Sequence, residues 1–150
     1  MNAKKLDQFY TQKKTALFLM DKIKEFFKIE EYFLLEPSAG TGSFIDLFHD
    51  NSQCFDIDPY KKYIIKKDFL KVCKEDIKNN GIKIFTIGNP PFGKNSSLSI
   101  RFIKHASIFS KYIGFILPKT FKKNSVINKI NKNLHLIMEI DIPKNSFIFE

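Results

Sequence analysis

The chain reads as an α/β domain, a doubly wound and mostly parallel sheet, and three observations predict this. Short apolar runs alternate along the chain with segments of helical spacing. The runs are apolar at nearly every position, the pattern of strands buried on both faces. Turns rich in Gly, Pro and Asn follow the strand-like runs, at the sheet end where such domains bind ligands.

Residues 16–27 carry apolar side chains at Ala16, Leu17, Leu19, Met20, Ile23, Phe26 and Phe27, the spacing of a helix. Residues 32–35 form a first strand that ends at Glu36-Pro37, and residues 43–49 continue as a helix. Residues 53–57 read as a second strand, with Asp58-Pro59 as N-cap and first helical residue. Residues 63–65 are a brief third strand, followed by Asp68-Phe69-Leu70 and a polar helix ending near Asn79-Asn80-Gly81. Residues 84–87 make a fourth strand. Residues 96–110 make a helix with Ile100, Ile103, Ile108 and Phe109 on or near its inner face. A fifth strand, 112–117, is stopped by Pro118. A Lys- and Asn-rich surface helix at 121–131 and a sixth strand at 134–142 complete the pattern.

At 150 residues the chain is one domain, long enough to bury roughly 70% of its unfolded surface. A hydrophobic fraction of 43%, with 15% aromatic, argues for a packed core and against disorder. There is no apolar stretch near 20 residues for a membrane span, and residues 1–8 turn polar where a signal peptide needs its apolar run. Cys54 and Cys73 lack metal or redox spacing and read as small buried residues in a reducing compartment, so a cytoplasmic location is expected. The formal charge of +9 points to an anionic partner, nucleic acid first. The pointer is a weak one. Arg101 is the only arginine, nucleic-acid surfaces make more use of arginine, and a Lys-, Asn-, Ile- and Phe-rich composition also follows from an AT-rich genome.

Asn89-Pro90-Pro91-Phe92 closes the fourth strand after Gly88. Two prolines stiffen the loop and leave its carbonyls as acceptors, the Asn amide adds another, and Phe92 offers a flat face. Such a loop suits holding a planar amino group while a carbon is transferred to its nitrogen. The plainer alternative is a Pro-rich strand stop with Phe92 as core filler. Glu36-Pro37-Ser38-Ala39-Gly40-Thr41-Gly42-Ser43-Phe44 joins the first strand to its helix. Gly40 and Gly42 permit a tight turn against a ligand. Ile45 stands where a dinucleotide loop needs its third glycine, Glu36 would repel a pyrophosphate, and no phosphate-loop lysine follows. An acidic residue there suits a ligand bearing an ammonium group. Asp56, about 20 residues on, is placed to accept the two hydroxyls of a ribose. Asp58 competes for that role but is accounted for as a helix start. Asp68 either accepts from an adenine amino group or serves as a helix N-cap before Phe69. His49, His105 and His135 lie outside these loops and read as surface or core residues, and no metal site is expected.

Together these pieces resemble the class I S-adenosylmethionine-dependent methyltransferases, specifically the N6-adenine DNA and RNA enzymes of the NPPF type. EPSAGTGSF is similar to their cofactor loop, FDIDP to the ribose-binding strand end, DFL to the adenine-contacting segment and GNPPF to the catalytic loop. Gln8-Phe9-Tyr10-Thr11-Gln12 resembles the N-terminal element that touches the methionine end of the cofactor, with Gln12 where the family usually has Pro. The resemblance covers residues 8–121. It implies a Rossmann-like fold, residues 1–30 as a helical element covering the cofactor, and S-adenosyl-L-methionine bound by Tyr10, Thr11, Glu36, Pro37, Gly40, Gly42, Asp56, Asp68 and Asn89. It implies Asn89, Pro90, Pro91 and Phe92 as the catalytic loop, acting on the 6-amino group of adenine, in DNA first and RNA second. No separate target-recognition domain is expected within residues 1–150, so target choice falls to a partner protein, to RNA shape or to surface loops. The chain is expected to lack the family's last antiparallel strand, either as a truncated form or with a smaller sheet. A protein glutamine N-methyltransferase, whose loop usually ends in Tyr, and a non-catalytic subunit of the same fold are the alternatives.

Overall fold

In a computed structural model, which describes residues 10–142 and the backbone of Phe147–Ile148, five strands lie side by side in parallel. They are β2 (Phe33–Glu36), β3 (Ser52–Asp56), β4 (Ile65–Lys66), β5 (Ile84–Gly88) and β6 (Ser110–Phe115), in the order β4-β3-β2-β5-β6. The chain therefore starts in the middle of the sheet, runs outward to β4, and returns to the other side of β2 as β5. Strand order reverses between β2 and β5, where the connections leave a crevice at the strands' carboxyl ends. A separate antiparallel pair joins β1 (Tyr10–Thr11) to β7 (Phe147–Ile148).

The strands are buried because both faces are covered. Helix α1 (Lys13–Phe26) turns Ala16, Met20 and Ile23, one helical stripe, onto the face carrying Leu34, Phe85 and Ile87. Helix α2 (Ser97–Ser107) sets Phe102 and Ala106 against the other face, on Phe33, Leu35, Phe55 and Ile84. Leu34 and Leu35 thus point to opposite faces and are both fully buried, about 1.5–3 kcal/mol of transfer free energy each. Ile108, expected near the inner face of this helix, instead stands 70% exposed past its end.

Several expected elements are not formed. Residues 43–49 make only a single 3-10 turn, Ile45–Leu47, and no helix follows Asp58-Pro59. Both stretches are shorter than a helix needs to stand without a packed stripe, and Phe44 is drawn into the α1 face of the core. The polar helix expected before Gly81 is two 3-10 turns, Phe69–Lys71 and Lys74–Asp76, separated by Val72 in extended conformation. The helix expected at 121–131 shrinks to α3 (Asn124–Ile127) after the turn Lys119–Lys122. Its Asn, Ser and β-branched residues are poor helix formers. Residues 134–142 form no strand, and Leu136 and Ile137 stand 78% and 68% exposed. The third strand comes two residues late, at Ile65–Lys66, and the fifth begins two residues early. Cys54 is buried as expected, whereas Cys73 is exposed and hydrogen-bonds Asp76. Among the described residues no helix is long and apolar enough to cross a membrane.

Candidate functional site

The crevice between β2 and β5 is the cleft that gathers six of the nine residues predicted to bind a cofactor. Tyr10, Thr11, Glu36, Gly40, Asp56 and Asn89 line it, together with Ser38, Ala39, Thr41, Ser43 and Phe44 of the glycine loop. Its empty volume is about 360 Å³, including the part open to solvent.

Three segments distant in sequence are tied together around it. Ser38 Oγ donates to the Asn89 carbonyl at 2.9 Å, joining the glycine loop to the Pro-Pro loop. Ser43 Oγ donates to the Thr11 carbonyl at 2.6 Å, and Asn89 Nδ2 donates to Thr11 Oγ1 at 3.2 Å. Thr11 is thereby held from both sides. Gly88 lets β5 pass close to β2, because a Cβ there would lie 3.3 Å from Pro37 Cδ and 3.4 Å from Glu36 Cγ.

Two carboxylates dominate the electrostatics. Glu36, at the end of β2, is 2% exposed, and Asp56, at the end of β3, is 4% exposed. Asp56 Oδ2 accepts from the Gly40 N–H at 2.8 Å and Oδ1 from the Asp58 N–H at 2.9 Å, so the acid shapes the loop it faces. Burial still raises its pKa, against those hydrogen bonds. Burial pushes Glu36 well above the ordinary carboxylate range, with the Asp56 and Asp46 charges acting the same way and a backbone N–H from Ile45 opposing. Glu36 Oε2 is buried without a hydrogen-bond donor among the described residues. Two buried carboxyls, in a chain of net charge +9, suit a cationic, hydroxyl-bearing ligand whose charge favours their ionised form.

The remaining predicted residues stand around the cleft without lining it. Pro37 and Pro90 are fully buried beneath the loops. Gly42, with φ +89°, faces outward: a Cβ there would meet Lys61 Nζ at 3.1 Å and Tyr63 Oη at 3.3 Å. Those two side chains both donate to Asp46, beside the loop. Gly40, with φ +55°, is the glycine turned to the cleft, where a Cβ would lie 2.9 Å from Tyr10 Cδ1. Asp68 accepts from the Leu70 N–H at 3.0 Å as the cap of its turn, and does not line the cleft. Asp58, Asp56's competitor, is exposed.

In the Pro-Pro loop, the Pro91 carbonyl accepts from Ser99 Oγ at 3.1 Å, and the Phe92 carbonyl accepts from the N–H groups of Leu98 and Ser99. These bonds fasten the loop to the start of α2. No group among the described residues donates to the Pro90 carbonyl. Phe92 is half-buried.

Sequence reasoning passed over Ser38, Ser43 and Tyr60. The serines lie inside the glycine loop, and a hydroxyl in such a loop commonly bonds to backbone, a signal that was available. Tyr60 meets Tyr10 edge-on at 5.6 Å, its hydroxyl 3.4 Å from that of Tyr10, a contact no local pattern announces. The histidines keep the plain reading: His49 and His105 bond the carbonyls of Ile29 and Val72, and His135 is exposed. Among the described residues no three His, Cys, Asp or Glu side chains are gathered so as to hold a metal ion. Comparison with protein-family models, with curated proteins and with solved structures found no significant match.

Proposed function

We propose that this chain is an S-adenosylmethionine-dependent methyltransferase acting on the 6-amino group of adenine in nucleic acid. The observation that carries the reading is the meeting of Glu36, Asp56 and Asn89 in one cleft at the point of strand reversal. The donor set fits this cofactor. Glu36 Oε2, buried and lacking a donor, matches the ammonium of its methionine part. Asp56 retains lone pairs beyond those taken by Gly40 and Asp58 and matches a ribose diol. Tyr10 and Thr11 wall the side between them.

When bound, the cofactor supplies a methyl group on a sulfonium, which is already a good leaving group. The chain's own part is to hold the acceptor. Asn89 donates through Nδ2 to Thr11, which sets the amide so that Oδ1 serves as acceptor for one hydrogen of the target amino group. The Pro90 carbonyl accepts the other. Together they draw the nitrogen lone pair out of conjugation and aim it into the cleft, while Phe92 stacks on a base taken from a single strand or flipped from a duplex. Positioning supplies most of the acceleration; the methylated nitrogen, now cationic and strongly acidic, gives its extra proton to solvent, so no general base is required.

The test is incubation with labelled cofactor and mixed DNA and RNA, followed by mass analysis of the nucleosides. N6-methyladenine is the expected product. Methylcytosine, or methylglutamine in added protein, would refute the substrate and spare the cofactor. Failure to bind the cofactor at all would refute both.

A further inference from the structure

We propose that the turns Lys94–Ser96 and Lys119–Lys122, with Lys123, form one surface that grips the phosphate backbone of the nucleic acid beside the cleft. This deepens the methyltransferase function, on which it rests for the kind of acceptor. The two turns follow the carboxyl ends of β5 and β6, adjacent parallel strands, so both lie at the sheet end that carries the cleft. They are joined there: Ser96 Oγ and Thr120 Oγ1 are 2.8 Å apart, and Ser96 is only 5% exposed. The bond fixes one lysine-bearing turn against the other, directly after the Pro-Pro loop. Lys94, Lys119, Lys122 and Lys123 are all exposed.

The charges divide the work. The cleft sets the carboxyls of Glu36 and Asp56, and no lysine or arginine, along its described lining, so a strand whose base enters at Asn89 must run its backbone outside it. The start of α2 is not available for that backbone, because the N–H groups of Leu98 and Ser99 are given to the Phe92 carbonyl. The lysines are what remains on that side, and lysine contacts phosphate as a point charge without reading sequence. Two carboxylates already stand in for phosphate. Lys122 Nζ lies 3.0 Å from Asp141 and 3.8 Å from Glu139, with the side chains 50%, 83% and 54% exposed. Ion pairs so open to water are weak and give way to a phosphate strand.

The probe is a short single-stranded oligonucleotide containing adenine, followed by fluorescence anisotropy across a salt series without cofactor. Lys119→Ala/Lys123→Ala should weaken binding roughly tenfold to thirtyfold near 0.1 M salt, equally for any sequence, and lower the salt slope by about 1.4. Lys83→Ala/Lys111→Ala, at the opposite ends of the same two strands, should change little. Glu139→Gln/Asp141→Asn should tighten binding by up to about fivefold, a gain that misfolding cannot produce. Equal loss in both lysine pairs, an unchanged salt slope, no gain in the carboxylate variant, or binding to anionic vesicles in place of the oligonucleotide would overturn the proposal. Cofactor calorimetry on the lysine variants should match the parent chain. Loss of cofactor binding by the parent chain itself would instead remove the methyltransferase reading.

Discussion

Replacing Glu36 with Gln should move stability and ligand affinity in opposite directions. The carboxyl is 2% exposed, and its Oε2 has no donor among the described residues. Burial raises its pKa in the fold, so the unfolded chain gives up this proton at lower pH than the folded chain does. The stability linked to the group is therefore complete below the unfolded value, about pH 4.3, and is lost as pH rises through the raised folded value. An amide still accepts the Ile45 N–H and has no charge to bury. Each tenfold weakening of the acid on folding is worth about 1.4 kcal/mol. Glu36→Gln should therefore stabilise the ligand-free chain at pH 8 by at least about that amount, raising Tm by roughly 2–4 °C per kcal/mol. The gain should vanish near pH 4.

The same change removes the anion proposed to face the ligand's ammonium. A hydrogen bond to a charged group is worth about 1.5–3 kcal/mol, so S-adenosylmethionine should bind roughly 10- to 150-fold more weakly. In the parent chain, binding should strengthen with rising pH and release a proton, because the ammonium favours the ionised carboxyl. Scanning calorimetry from pH 4 to 8 reads the first effect, and titration calorimetry in buffers of different ionisation enthalpy reads the second. A variant that loses stability equally at both ends of the pH range, or that binds the cofactor unchanged, refutes the reasoning.

Asn89→Ala should abolish methyl transfer. It should also weaken cofactor binding up to about tenfold, because the Thr11 contact that holds the cleft wall is lost with it; full activity in a labelled-methyl assay would contradict the mechanism. Gly40→Val should block the cleft through Tyr10, whereas Gly42→Val, whose Cβ faces Lys61 and Tyr63, should mainly cost stability through its positive φ. Titration calorimetry with parallel melting curves separates the two, and equal loss of affinity at both positions would be inconsistent with the geometry. A thiol-alkylating reagent should label Cys73 and spare Cys54, which is 2% exposed with its thiol pushed up to about 12 by burial, a pattern peptide mass mapping reads directly.

Much of the molecule was legible in order along the chain. Strands β2 and β5 are apolar at most positions, a pattern that, with the turn residues closing each run, marks them as buried on two faces. The glycine loop and the Pro-Pro loop were equally plain, since tolerance of φ above zero and a missing N–H belong to Gly and Pro themselves. The weak helices were misread because residues 43–49, the stretches after Pro59 and after Leu70, and residues 121–131 lack a stripe long enough to repay ordering. The first took its form from what the sheet required of Phe44, and the stretch after Leu70 from Asp68 and Asp76 capping short turns. Strand 134–142 has the composition of a strand, but a strand exists only through a neighbour's hydrogen bonds, and none is offered to it among the described residues. The same holds for the site. Composition and spacing determined that Glu36, Asp56 and Asn89 each end a strand. Only the return of β5 to the side of β2 placed them around one cleft, since strand order depends on pairings between residues far apart in the chain. That Gly40 faces the cleft and Gly42 faces away, and that Tyr60 backs Tyr10, follow from those long-range contacts and are written in no local stretch of sequence.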